Sequence, residues 1–290
     1  MGLSTWMVLL GMGCSLGTEP QPQVEPAAEP QVAQRVAVLD PGVHQLLVRL
    51  EATDVMVGRP DYTDEFTQTQ HLPTLGTGLS PSYEEIVRTG PDLILTTHAS
   101  RGTVLDNLRK VAPTPHLPWL TVEEVVASTR EIGRLIGRTE AATTMADQLA
   151  QELAPALSEA SPKVLVVLSP PTASDADLWV IKPNSLHGAA LEAAGGRHAI
   201  PAPITGPPTL SIEGLLQIDP EIIVVLIADL QTAPEKMVEY QRFWKRLDML
   251  KAVQADRVGF MIGRTHFYTG PGVMDFKSAL QAKLSEVQAR

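Results

Sequence analysis

A fourteen-residue pattern occurs twice in this chain, 129 positions apart, and it restricts the architecture more than any other feature. Ser82-Tyr83-Glu84-Glu85-Ile86-Val87, followed by Pro91-Asp92-Leu93-Ile94-Leu95, is matched by Ser211-Ile212-Glu213-Gly214-Leu215-Leu216, followed by Pro220-Glu221-Ile222-Ile223-Val224. Ser, Glu and Pro recur identically, and each apolar position meets another apolar position. Each copy reads as a short helix, a turn and a strand, with Ser as the helix cap and Pro in the turn. A helix-turn-strand unit cannot bury its own apolar face, so two copies predict two similar α/β halves.

The flanking sequence agrees. From Arg35 onward, short β-branched runs alternate with helical patterns, the signature of βα units and mostly parallel sheets. Strands are expected at 36–39, 55–58, 92–97 and 116–119 in the first half, and at 164–168, 222–227 and 258–262 in the second. Helices are expected at 185–194, 212–218, 243–255 and 275–288. Between the halves, Thr121-Val-Glu-Glu124 has capping-box spacing, and apolar residues then recur at helical intervals to about residue 158. This predicts one connecting helix of up to ~38 residues, ~57 Å long. The expected fold is therefore α/β. An N-terminal lobe (35–120) and a C-terminal lobe (161–290), each with a central, mostly parallel sheet, are joined by a single long helix (121–160). A single helix resists large hinge motion, so the cleft between the lobes should be nearly preformed. Ligands of open α/β lobes bind beyond the carboxyl ends of the strands.

The N-terminus carries a different message. Residues 3–13 form a mostly apolar run, too short for a bilayer span of ~20 residues, that ends in small residues before Cys14. Residues 1–14 read as a secretory signal, and Leu10-Gly11-Met12-Gly13-Cys14 resembles a lipobox whose Cys becomes lipidated. A buried N-terminal segment with an inert Cys is the alternative. Residues 15–34 are rich in Pro, Glu and Gln, composition that favours an extended tether reaching on the order of 60 Å.

Composition excludes several functions. The net charge of −10 would repel a phosphate backbone, which argues against nucleic acid as a partner. A single cysteine rules out an internal disulfide and any CxxC site. The chain contains no G-x-S-x-G and no G-x-x-x-x-G-K-[ST]; Gly76-Thr-Gly78 continues Leu-Ser-Pro, which breaks the dinucleotide pattern. An enzyme would need an unrecognised constellation, and the expectation is a non-enzyme.

The segments Val57-Gly58-Arg59-Pro60-Asp61-Tyr62-Thr63-Asp64, Leu72-Pro73-Thr74-Leu75-Gly76 and Ser80-Pro81-Ser82-Tyr83-Glu84-Glu85-Ile86 resemble the first lobe of periplasmic binding proteins for cobalamin and iron complexes. Ala193-Ala194-Gly195-Gly196-Arg197-His198, Ser211-Ile212-Glu213 and Asp219-Pro220-Glu221-Ile222-Ile223 are similar to that family's second-lobe signatures. The resemblance implies a solute-binding lipoprotein, a monomer without an intrinsic cofactor, that delivers a ferric siderophore, haem or cobalamin to an ABC permease dimer. It also implies that Glu84 and Glu213 dock onto permease arginines, and that Tyr62 stacks on the ligand. Glu84 and Glu213 each lie in the first turn of an expected helix, where the dipole favours an anion, so simple helix stabilisation is the other reading. Gly78 and Thr97 stand where cobalamin binders carry Trp, which points away from a corrinoid.

Candidate cleft residues are Arg59, Tyr62, His98, Arg264, His266, Phe267 and Tyr268, which follow expected strands, and Trp179, on a loop after Pro170-Pro171. Arginines suit carboxylates of a siderophore or haem propionates, and Tyr or His ligates haem iron. The seven histidines also allow a bare-metal (Zn or Mn) binding protein using His98 and His266, although no His pair has i, i+4 spacing.

Overall fold

Strands that are apolar on both faces need cover on both faces, and the strands of this chain alternate between two separate cores. The computed structural model describes residues 1–2, 32–97, 100–168, 177–228 and 234–290. In chain order the elements are β1 (Val36–Val38), α1 (Pro41–Arg49), β2 (Met56–Gly58), α2 (Tyr83–Thr89), β3 (Leu93–Leu95), α3 (Thr103–Arg109), α4 (Val122–Leu135) and α5 (Thr139–Glu152). The second half comprises β4 (Lys163–Leu168), β5 (Asp177–Trp179), α6 (Leu186–Ala193), β6 (Arg197–His198), β7 (Thr209–Ser211), α7 (Ile212–Ile218), β8 (Ile222–Ile227), α8 (Pro234–Lys245), α9 (Lys251–Gln254), β9 (Val258–Ile262) and α10 (Val273–Gln288). One parallel sheet has the order β2-β1-β3 and the other β6-β4-β8-β9, while β5 and β7 form an antiparallel ribbon. The two-lobed α/β expectation holds.

The alternation is explicit in the packing. Val36 and Val38 of β1 join Val164 and Val166 of β4 and Ile222, Val224 and Leu226 of β8 in one core that α1, α4, α5, α6 and α10 complete. The opposite faces separate by lobe. Ala37 and Ile94 pack with Ile86 and Leu108 from α2 and α3. Leu165, Val167, Ile223 and Val225 pack with Leu215 and Trp244 from α7 and α8.

The recurrence seen in the sequence is also structural. α2 and α7 each span seven residues at the same offset. Each is followed by a left-handed residue, Gly90 (φ 56°) and Asp219 (φ 44°). The acid that follows ties down the neighbouring strand: the Asp92 carboxylate accepts from the amides of Gln34 and Arg35, both at 2.9 Å, and Glu221 Oε2 accepts from the Lys163 amide at 2.7 Å. The caps differ. Ser211 Oγ accepts from the Gly214 amide at 3.1 Å, whereas Ser82 makes no side-chain cap bond.

Four expectations need correction. The connector is not one helix but two of fourteen residues, α4 and α5. The expected capping box opens α4, with Thr121 Oγ1 accepting from the Glu124 amide at 3.3 Å. The chain then reverses at Gly137, whose φ of +69° ends a helix at little cost only for glycine. The two helices pack closely: a Cβ on Gly133 would lie 2.1 Å from that of Ala142. Second, residues 116–119 join no sheet; Leu117 and Trp119 are buried in an irregular segment. Third, the helix expected at 243–255 is the end of α8, a turn and α9. Last, the folded body begins before Arg35, because Ala33 is buried and its amide donates to Leu135 O at 2.9 Å.

The lobes meet through backbone. A Cβ built on Gly42, at the start of α1, would lie 1.6 Å from the carbonyl oxygen of Thr269 in the second lobe. One built on Gly270 (φ +117°) would lie 2.8 Å from the Trp119 ring. Backbone cannot swing aside as a side chain does, so Gly42→Ala is expected to cost about 3 kcal/mol, the upper end for overpacking. Urea denaturation checks this through a lowered midpoint at unchanged slope; an unaltered midpoint would refute the contact.

Candidate functional site

In a parallel sheet the loops leaving the carboxyl ends are the free ones, and here they carry the chemistry. The loop after β2 holds Arg59 to Glu65, and the loop after β9 holds Arg264 to Tyr268. They touch across the lobes. The Tyr268 hydroxyl lies in hydrogen-bond reach of the Tyr62 carbonyl oxygen and of Glu65 Oε1. Its ring stacks on Phe66 at 6.3 Å, and Phe66 meets the edge of His44 at 4.9 Å. Burial, reinforced by hydrogen bonding to Glu65, pushes the Tyr268 phenol far above its usual range. Tyr268 is therefore a neutral donor that ties the two loops together.

Tyr62 sits above this tie. It adopts φ +65°, a region that costs a bulky residue on the order of 1–3 kcal/mol, and its side chain is 62% exposed. The Arg264 guanidinium carbon lies 5.8 Å from its ring centre, within cation–π range. An exposed aromatic held in a strained backbone, with a half-buried cation above it, is an arrangement that packing alone does not require.

The remaining candidates divide. Arg59 is turned into its own loop, 8% exposed, pairing with Asp64 at 2.9 Å and donating to Thr63 Oγ1 at 3.2 Å. Trp179 lies not on a loop, as expected, but at the end of β5, 53% exposed opposite Thr209. His266 is half-buried, 6.1 Å from Phe276, and burial lowers its pKa against the opposing pull of Asp275. Its carbonyl accepts from His187 Nε2 at 3.0 Å. Phe267 lines a cavity of 340 Å³ with Leu120, Leu168, Ile181, His187 and Thr269, on which Lys182 and Asn184 also open. This cavity lies at the carboxyl end of β4, as a ligand pocket of this architecture should. His98 and Cys14 lie outside the described residues.

The residues that sequence reasoning missed are Glu65, Phe66, Lys182 and His187. Glu65 and Phe66 lie farther along the loop that follows β2, Lys182 follows β5, and His187 opens α6. Among the described residues, no trio of His, Cys, Asp and Glu converges as a metal site, and no helix is long and apolar enough to cross a membrane. Glu84 and Glu213 are both exposed. One turn further on, Val87 and Leu216, also related by the repeat, are 59% and 36% exposed.

The comparisons agree with this fold. Two curated relatives from strains of Halobacterium salinarum, described as cobalamin-binding proteins, are 29% identical over 199 residues. That match takes in 66% of this chain and about half (53%) of the relatives' length. The vitamin B12 binding protein BtuF of Vibrio cholerae superposes with a TM-score of 0.69 at 19% identity, covering 89% of this chain and 99% of that one. A periplasmic haem-binding protein from Pseudomonas aeruginosa gives 0.70 at 19%, covering 87% and 93%. The siderophore-binding protein FhuD of Vibrio cholerae gives 0.68 at 20%, covering 88% and 98%. The family model described as periplasmic binding protein matches residues 36–261, and the chain belongs to that family.

Proposed function

We propose that the chain is an extracytoplasmic solute-binding protein of an ABC importer, which captures a metal chelate of the cobalamin, haem or ferric siderophore class between its lobes. The observation that carries this reading is the exposed, strained Tyr62 beneath Arg264, at the junction of the carboxyl ends of the two sheets. An aromatic face suits a macrocycle or catecholate ring, and a guanidinium suits its carboxylates. Lys182 and the cavity beside Phe267 extend the same surface on the second lobe. His266 joins it through its carbonyl, which accepts from the cavity-lining His187. The solute is cargo, so no resident cofactor or catalytic step is invoked.

Delivery is assigned to Glu84 and Glu213. Each is exposed in the first turn of its helix, with an exposed aliphatic residue one turn on, and the repeat duplicates the pair. Two like patches suit a permease of two like subunits. Cys14 is assigned as the lipid anchor and the Pro-rich segment after it as the tether.

The test is an absorption titration with cyanocobalamin, haemin and ferric desferrioxamine. One of the three is expected to give a saturable one-to-one spectral change; silence from all three would overturn the proposal. Tyr62→Ala and Arg264→Ala are each expected to weaken that ligand at least tenfold, about 1.4 kcal/mol. Unchanged affinity in both would move the site elsewhere.

A further inference from the structure

The cavity beside Phe267 has walls that select the chemistry of what fills it. Leu120, Leu168 and Phe267 are among the apolar walls of its 340 Å³, and His187, Asn184 and Lys182 supply polar atoms. A few placed polar groups in an apolar pocket set orientation and specificity. Here their roles are fixed, because each side chain has already spent its other end.

His187 is the acceptor. Its Nε2 donates to His266 O at 3.0 Å, so the proton of the neutral ring sits on Nε2 and Nδ1 carries a lone pair. Burial keeps that ring neutral at pH 7, lowering its pKa to about 4. Nδ1 has no partner among the described residues, and unlike Nδ1 of His44 it is not sealed off from a water-sized group. Asn184 is the donor. Its Oδ1 accepts from the Ile204 amide at 3.1 Å, and an N–H can meet only the oxygen end, so the side-chain amide cannot flip and Nδ2 is left to donate. Lys182 is a second donor, held by Gly206 O at 2.5 Å.

A bare acceptor and a bare donor on one cavity complement a group that has both an N–H and a C=O. A carboxamide has both. A carboxylate has acceptors alone, so it leaves Nδ1 unpaired or turns an oxygen lone pair toward it. Lys182 pulls the other way, but an ion pair open to water is a weak force. A site built to accept an N–H discriminates strongly against an analogue without one.

We propose that this cavity holds a carboxamide arm of the cargo, whose N–H donates to His187 Nδ1 and whose carbonyl accepts from Asn184 Nδ2, with the adjoining carbons on Leu120, Leu168 and Phe267. The proposal rests on the cleft reading above and narrows it to an amide-bearing chelate. Cyanocobalamin and ferric desferrioxamine carry amides, whereas the arms of haemin are carboxylates, so haemin is expected to bind weakest of the three.

The full chain, with nitrogen-15 in its histidines, is titrated at pH 7 with 2-naphthamide and with 2-naphthoate while the ring nitrogens are followed by NMR. His187→Gln identifies the His187 signals. The expected result is a saturable upfield shift of Nδ1, the mark of a lone pair that gains an N–H donor, with 2-naphthoate at least about tenfold weaker. Asn184→Asp keeps the acceptor that the Ile204 amide needs and removes the donor, so it should weaken the amide about tenfold or more. Asn184 is exposed, so this replacement does not threaten the fold. A static Nδ1 signal, equal affinity for the two probes, full affinity in Asn184→Asp, or haemin bound tightest of the three chelates overturns the proposal. Capture of a chelate with a static Nδ1 signal ends the amide pocket and leaves the cleft reading standing. A shifted Nδ1 signal with silence from all three chelates does the reverse.

Discussion

The double variant Glu84→Ala/Glu213→Ala is expected to abolish uptake while binding its ligand and melting like the wild type. Both carboxylates are exposed, and surface ion pairs or helix-dipole contacts of such groups contribute under about 1 kcal/mol to folding. At a closed interface the same carboxylate faces a desolvated partner, and truncating one side of such a pair costs about 2–5 kcal/mol. Two sites related by the repeat double the loss. Measuring uptake in cells beside ligand affinity and thermal midpoint of the purified variant separates delivery from capture. Ordinary uptake would end the docking assignment. Val87→Ser/Leu216→Ser is a milder companion, because the aliphatic residues sit beside the charges.

Acidification from pH 7 to pH 4 is expected to remove several kcal/mol of stability, through two buried imidazoles. His44 is fully buried on α1, and burial followed by the charge of Arg59 lowers its pKa to about 4. Thr69 donates its hydroxyl proton to Phe66 O, so it accepts from His44 Nε2 at 2.9 Å, and Nδ1 is left without a partner. A proton on Nδ1 would be an unpaired buried donor. His187 is likewise lowered to about 4, by burial, while donating to His266 O. Above pH 6.5 both states are neutral and no linkage operates. Between 6.5 and about 4 the unfolded chain takes up protons that the fold refuses, so stability falls with pH. Below about 4 both states are protonated and the curve levels. Each imidazole contributes on the order of 3 kcal/mol across the full window. Urea midpoints at pH 7 and 4.5 measure it. His44→Gln, which keeps a donor toward Thr69 but does not titrate, should flatten the curve; an equally steep curve in that variant would exclude His44 as a source.

What was legible in the sequence is what local chemistry decides. β8, β9 and α7 begin and end where the apolar runs do, because a buried parallel strand must be apolar throughout and Ser211 marks the helix start. The connector reads as one helix because apolar residues recur at helical intervals on both sides of Gly137-Arg138-Thr139-Glu140, and only Gly137 records the reversal. Residues 116–119 have strand-like composition because Leu117 and Trp119 are buried, not because another strand lies beside them. At the site, Tyr62, Arg264 and Tyr268 were found by their places after strands, and the structure brings them together. Arg59 was found by the same signal yet serves its own loop, since Asp64 and Thr63 lie within one turn of chain. Glu65 gave no signal because its partner, Tyr268, comes from the other lobe, and His187 gave none because its partners, His266 O and Phe276, are some 80 to 90 residues away in sequence.

The core that runs through Val36, Val164, Ile222 and Val287 has no seam between the repeats. Two halves that share a repeated pattern are thus not independent: a chain cut at residue 120 or 160 would leave each fragment with half of a common interior exposed to water. The chain should therefore unfold in one cooperative step, not lobe by lobe. A partner that pries the cleft apart then has to work against the stability of the whole molecule.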